Sequence, residues 1–285
     1  MIQEKALAKL DLNIHILPKK VNDLFTVKYL DCQINLYDNL SLEKQEKNEV
    51  ICKNNTDLNN EKNFVFKVLT FLNGLDYKNN GVKVTIDKNI PIKAGFGGGS
   101  SDAAAGLKGV QKLWQFDLKK EKIIALSKRL GKDFFYSYFG GLSEVTGKGK
   151  EYGLKKMSSK LPTFWLIIVV PMREKPSTGW MYQNLDIQTI GRNLDKLEKL
   201  KEAIKNRDRK EILNNLFNDF EGLAIKTFPV VADIKNNLIK AGADVTLMAG
   251  AGLSVVGFFN SKEIAKNALD KMKLKYKKII LTKTI

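Results

Sequence analysis

The chain has 285 residues, 44% of them apolar, enough to bury the core of one large domain or two of ordinary size. Its formal charge of +17 invites a nucleic-acid reading, but arginine occurs only five times and the lysines are spread along the chain, often at helical spacing. The charge therefore reads as solvated faces that steer an anionic small substrate, and no nucleic-acid partner is expected.

One histidine excludes zinc sites built on paired histidines, and Cys32 and Cys52 make neither a disulfide framework nor a metal-ligand spacing. No run of about 18 apolar residues is present, so no membrane span is expected. The N-terminus carries Glu4, Lys5 and Lys9, which predicts a strand rather than a signal peptide, and a cytoplasmic protein follows.

Residues 6–16 alternate apolar and polar, the period of a half-buried strand, with Lys9, Asp11, Asn13 and His15 on one face. His15 on that strand reads as a core-lining or edge residue. A turn near Pro18 precedes strands at 24–37 and 40–46. The Asn-, Asp- and Lys-rich segment 52–62 reads as a loop, 64–72 as a helix and 82–86 as a strand. Helices are predicted from Ser101 to Leu113 and from Lys120 to Leu130, then strands or turns over 140–152. A linker at 158–160 separates two domains, 1–160 and 161–285. The second holds a very apolar strand from Trp165 to Val170, helical patterns at 195–206, 209–218 and 229–241, and strands at 245–248 and 254–259 around a glycine turn. A helix at 261–273 and a strand at 277–283 end it. Strands separated by helices in this order predict an α+β chain with helix-backed sheets.

The most informative stretch is Pro91 to Leu107. Four of the five residues from Gly95 to Gly99 are glycine, and Ser100, Ser101, Asp102 and Ala103 lead into an Ala-rich helix. Glycines let the backbone approach a ligand, and the helix N-terminus offers free N–H groups and a positive dipole end, with Ser100 or Ser101 as cap. This predicts a cradle for a polyphosphate. No Lys follows the glycines as the Walker pattern requires, and Ser100 stands where the Rossmann fingerprint needs its third glycine. A capped turn without a ligand is the plain alternative, but ordinary turns rarely carry four glycines and two serines before a helix.

The form Pro-x-x-Ala-Gly-Phe-Gly-Gly-Gly-Ser-Ser-Asp-Ala-Ala resembles the phosphate loop of the GHMP kinases, and the likeness continues in order along the chain. Ala8-Lys9-Leu10-Asp11-Leu12 is similar to the family's first motif, Ala-Lys-hydrophobic-Asn-Leu. Leu130-Gly131-Lys132-Asp133 and the aromatics after it resemble Gly-Ala-Asp-Val-Pro-hydrophobic. Trp165 to Pro171 with Ser177-Thr178 resembles the next strand and Ser/Thr step, and Met248 to Gly252 occupies the third motif.

The resemblance implies a two-domain fold: an N-terminal mixed sheet with helices, a C-terminal helix-backed antiparallel sheet, and an active site in the cleft between them. It implies an ATP-dependent small-molecule kinase, closest to the branch that phosphorylates the 2-hydroxyl of a cytidine-containing alcohol in the non-mevalonate isoprenoid route. Asp133 would be the catalytic base and Lys9 its partner. Lys93, Ala94, Gly95, Phe96, Gly97, Gly98, Gly99, Ser100, Ser101, Asp102 and Ala103 would hold ATP, which brings Mg²⁺ without a dedicated protein metal site. Asp102 either approaches that ion or only favours the helix dipole. Asp11, Phe25, Tyr182 and Gly250 would meet the acceptor, and a homodimer stays open.

Four departures fall on the acceptor side: Asp11 for Asn, Asp23-Leu24-Phe25 for Gly-Tyr-His, Phe134-Phe135 for Val-Pro, and Ala249 and Ala251 where hydroxyls are common. Phenylalanine stacks on a base but does not hydrogen-bond its edge. Tyr182 is either the opposing aromatic face or core. A kinase for another alcohol and a nucleotide-binding homologue without turnover are the alternatives.

Overall fold

Two long strands, β1 (Ile2–Val21) and β2 (Leu24–Gln45), pair antiparallel along nearly their whole length. The computed structural model describes residues 1–75 and 81–285. β3 (Glu49–Cys52) leads to α1 (Phe64–Asn73), which Asn63 caps by accepting from the Val65 N–H. β4 (Gly81–Asp87) then pairs with residues 39–45 of β2 and lies parallel to β3. Three helices follow, α2 (Gly98–Trp114), α3 (Lys120–Leu130) and α4 (Lys132–Phe139). β5 (Ser143–Lys148) takes the other half of the same β2 edge, residues 27–31, and β6 (Glu151–Lys156) pairs with β5.

The second half begins with β7 (Trp165–Val169) and three helices, α5 (Thr178–Gln183), α6 (Asp195–Asn206) and α7 (Arg209–Asn214). A two-residue strand, β8 (Phe217–Asn218), then runs parallel to Asn13 and Ile14 and joins the first sheet, whose order is β3-β4-β2-β1-β8. After α8 (Glu221–Thr227) and α9 (Val230–Lys240) come β9 (Val245–Met248), β10 (Val255–Phe259), α10 (Lys262–Lys273) and β11 (Ile279–Lys283). β11, β7, β10 and β9 form an all-antiparallel sheet in that order.

Both faces of this second sheet are buried, which explains the unbroken apolar run in β7. Ile167, Val169 and Val255 pack with Val231, Ile234 and Leu238 of α9 and Ala265 and Ala268 of α10. Leu166, Ile168, Val256 and Phe258 face Leu10, Leu12, Leu30 and Ile34 of the first sheet and Leu197 and Leu200 of α6. The two sheets thus share one apolar layer. A third cluster seats α1, α2 and α3 on the first sheet, and Gly109 lets α2 approach so closely that a β-carbon there would reach Leu42 Cδ1 at 2.5 Å.

The architecture is the expected α+β one, with local differences. Residues 24–37 and 40–46 are one strand, because shifts in the β1–β2 register absorb irregularities without breaking the pairing. The 209–218 pattern divides into α7 and β8, and β3, α4, α5 and α8 are additional elements. β1 is buried on both faces rather than half-buried: Lys9, Asp11, Asn13 and His15 are each at most 4% exposed. α2 starts at Gly98, three residues before the predicted Ser101, and Gly97 rather than a serine is its N-cap, in the left-handed region at φ +66°. Ser101 lies inside the helix and its Oγ donates to the Leu7 carbonyl, so neither serine caps. Among the described residues, no helix is long and apolar enough to cross a membrane.

Candidate active site

A cleft of about 740 Å³ runs between the glycine loop and α4 on one side and the 170–178 and 250–254 segments on the other. The loop is reached through an anchored strap. Asp38, fully buried, accepts from the N–H groups of Asn89 and Ile90 through Oδ1 and from Lys88 through Oδ2 at 2.5 Å. Lys88 also pairs with Asp102 at 2.6 Å, tying the strap to the second turn of α2.

From there the backbone enters the left-handed region three times, at Lys93 (φ +56°), Gly95 (φ +94°) and Gly97 (φ +66°). The Phe96 carbonyl accepts from the Lys9 N–H at 3.0 Å, fixing the loop to β1. Helix geometry leaves the N–H groups of Gly98, Gly99 and Ser100 without an acceptor inside α2, while the Ser101 N–H bonds the Gly97 carbonyl. A β-carbon on Gly99 would meet nothing within 4 Å, so this corner is open. Together these features suit the binding of an anion.

Across the cleft, Gly250 sits in the left-handed region at φ +54°, and a β-carbon on it would stand 2.9 Å from the Gly95 carbonyl oxygen. Asn218, from β8, holds this turn by donating to the Met248 and Gly250 carbonyls, both at 2.8 Å.

Beside the loop lies a cluster of buried charge. Lys9 Nζ donates to Asp11 at 2.5 Å and stands 3.6 Å from Asp133, and Lys132 Nζ lies 2.9 Å from the same Asp133 oxygen. Asp133 is 39% exposed and opens onto the cleft. Burial opposes its ionisation, but Lys132 and then Lys9 outweigh that and hold its carboxyl below the usual carboxylate range. Burial pulls the other way on Lys9, and Asp11 and Asp133 keep its ammonium more basic than usual. Asp31, fully buried, pairs across the strands with Asp11 and is 3.6 Å from Lys132, and burial pushes its carboxyl well up. Tyr29 lies under Lys132, ring to ammonium 3.7 Å, and shares a 2.8 Å hydrogen bond with Tyr182.

Two family models match the chain: GHMP kinases N terminal domain over residues 63–146 and GHMP kinases C terminal over 200–278. The 4-diphosphocytidyl-2-C-methyl-D-erythritol kinase of Macrococcus caseolyticus is 32% identical over 275 residues, 96% of this chain and 95% of the relative. This chain is a GHMP kinase. The enzyme of the same name from Enterococcus faecalis is 29% identical, covering 100% of this chain and 99% of its own. In fold, the GHMP kinase superposes on the crystal structure of 4-(cytidine 5'-diphospho)-2C-methyl-D-erythritol kinase with a TM-score of 0.83, at 23% identity and 99% coverage of both chains. L. major mevalonate kinase with R-mevalonate gives 0.74 at 15% identity, covering 100% of this chain and 96% of its own.

Most residues singled out in the GHMP kinase sequence meet at this cleft. Lys9, Asp11, Asp133, Tyr182 and Gly250 line it, as do Lys93 to Ser100 and Asp102. Ser101 and Ala103 lie behind the loop, Ala103 in the core under α2. Lys93 is at the rim, 3.6 Å from Glu174. Phe25 is off the cleft wall: its ring stacks on Tyr182, centroids 6.1 Å apart, with Lys20 over it. His15 is fully buried and stacked on Phe217 at 5.0 Å, a core residue as read.

Sequence reading missed Asp31, Asp38, Lys88, Lys132 and Asn218. Only Lys132 carried a signal, as a charged residue inside a matched motif where the family has alanine.

Proposed function

We propose that this kinase transfers the γ-phosphoryl group of ATP to the 2-hydroxyl of 4-diphosphocytidyl-2-C-methyl-D-erythritol, a step of non-mevalonate isoprenoid synthesis. The observation that carries the reading is Asp133, a carboxylate kept ionised by two ammonium groups on the same cleft as the glycine loop. Phosphoryl transfer demands alignment and charge neutralisation more than covalent help. Asp133 takes the acceptor hydroxyl proton as the new O–P bond forms and the bond between the γ-phosphorus and the β–γ bridging oxygen breaks. Lys9 neutralises charge growing on the acceptor oxygen, and the N–H groups of Gly98, Gly99 and Ser100 receive the nucleotide phosphates.

Mg²⁺ would arrive with the nucleotide and neutralise phosphate charge, and Asp102 fits it: its Oδ1 is buried without a hydrogen-bond partner on a cleft-lining residue. The domain division at residue 160 belongs to the same proposal, in the link between β6 and β7. A cytoplasmic setting suits Cys32 and Cys52, both buried free thiols. A coupled ADP-release assay with the cytidine substrate tests the reaction. Turnover is expected, and silence with this substrate beside turnover of another alcohol rejects the acceptor.

One observation favours the alternative of a different acceptor alcohol. Phe25 and Tyr182 lean on each other at 6.1 Å, and the Tyr182 hydroxyl is engaged by Tyr29. A base held between two rings needs about 7 Å, twice an aromatic contact distance. Thermal shifts with cytidine diphosphate and with ATP decide: comparable stabilisation supports the cytidine substrate, and none from cytidine diphosphate supports the other alcohol.

A further inference from the structure

Two charged departures from the family motifs meet at one carboxylate. Asp11 stands where the first motif has Asn, and Lys132 stands where the second has Ala. Asp11 engages Lys9 at 2.5 Å, leaving that ammonium 3.6 Å from Asp133. Lys132 is the nearer cation, at 2.9 Å.

Lys132 is also held from behind. Its side chain is 15% exposed, with Tyr29 beneath the ammonium and Asp31 at 3.6 Å. Asp31 is wholly buried and neither carboxylate oxygen has a hydrogen-bond partner among the described residues. The β1–β2 register places it opposite Asp11, so the extra acid on β1 and the extra base on α4 belong to one cluster.

We infer that Lys132 has taken over from Lys9 the task of holding Asp133 in place and ionised, and that Asp11 and Lys132 work as a compensating pair. The inference rests on the kinase reading above. Asp11 draws Lys9 off the base, which alone would leave a part-buried carboxylate undercompensated. Lys132 restores the missing positive charge from the adjacent residue. The groups facing Asp133 are Lys9 from β1, the adjacent Lys132, Tyr29 from β2, Tyr152 from β6 and Tyr182 from α5, while Asp11 and Asp31 face the two lysines. The tyrosines are neutral near neutral pH, since burial raises each of them. Among the described residues, Lys132 and Lys9 oppose protonation of Asp133. Lys132 is a positioning residue in this scheme.

The test follows the acid limb of kcat/KM in steady-state ADP release and, separately, the Asp133 carboxyl by carbon-13 NMR titration without substrate. Lys132→Ala is expected to raise both by about one pH unit or more, with the ATP KM changed by less than about twofold. Lys132→Arg keeps both low. The double variant Asp11→Asn/Lys132→Ala, which carries the family residues at both positions, returns both toward wild type because Lys9 is free to swing back. Should Lys132→Ala not fold, Lys9→Met serves instead, and its Asp133 titration is expected to rise by less than about one pH unit. An unmoved limb in Lys132→Ala, additive effects in the double variant, or an Asp133 titration that rises by about one pH unit or more in Lys9→Met overturns the inference. If wild-type enzyme is inactive on the cytidine alcohol while Asp133 titration still follows Lys132, the acceptor reading fails and this one stands.

Discussion

Gly95 lies so close to the Ala249 carbonyl that a β-carbon at position 95 would overlap it. The contact joins the glycine loop to the turn on the opposite wall, with Gly95 at φ +94°. Gly95→Ala therefore adds backbone strain of about 1–3 kcal/mol to a clash with main chain. A fall in Tm of several degrees is expected by calorimetry, with a higher ATP KM. Gly99→Ala separates the two effects, since its β-carbon enters open space. Its Tm stays near wild type while the ATP KM rises, because the new methyl stands where the phosphates would lie.

Asp133→Asn removes the proposed proton acceptor and keeps the shape. A drop in kcat of about 10²–10⁴-fold is expected, the usual range for losing a general base. ATP should still raise the Tm of the variant as it does that of wild type. Equal kcat in the two proteins would show that another group takes the proton.

Asp38 sustains the strap into the loop from a fully buried position. Asp38→Ala leaves the Asn89 and Ile90 N–H groups without their acceptor and Lys88 with Asp102 alone. Breaking a buried pair in this way costs about 3–5 kcal/mol, to be read by urea unfolding. Asp38→Asn keeps an oxygen for the two N–H groups and is expected to lose less.

The single histidine gives a pH signature. Burial, aided by Lys28 and Lys196 against Asp195, pushes the His15 imidazole down to about 4. Between pH 6.5 and 4 the unfolded chain takes up a proton that the folded chain does not, so His15 lowers stability as pH falls through that window. The loss is of order 3 kcal/mol, from about 1.4 kcal/mol per pH unit. His15→Phe, able to stack on Phe217, should flatten the stability–pH curve there relative to wild type. As the chain has a single histidine, the wild-type titration is directly visible by proton NMR.

The glycine loop and the residues of the proposed Lys9–Asp133 pair were legible in the sequence because each lies within a few consecutive residues. Gly95 to Ser100 needs only glycine conformational freedom and a helix start, and Lys9 and Asp133 each sit in a short motif. The support around them was hidden, because it comes from distant strands. Asp31 reaches Asp11 only through the β1–β2 register, which shifts more than once along the pair. Asn218 belongs to a two-residue strand inside a stretch with helical periodicity. The serine cap failed for another reason: Ser101 finds the Leu7 carbonyl on the neighbouring strand, a contact that local capping preference does not register.

The apolar layer common to both sheets bears on how the enzyme is made. While a ribosome has released only the first half, Leu10, Leu12, Leu30 and Ile34 have no β7 or β10 to cover them. The strand bearing Lys9 and Asp11 therefore cannot settle until the distal sheet has been synthesised. Thr284, which bridges to Ile34 and bonds to Phe164, follows all four strands of that sheet along the chain. Competence for catalysis is thus a late event in biosynthesis, and a chain stalled midway exposes a greasy strand that chaperones must shield.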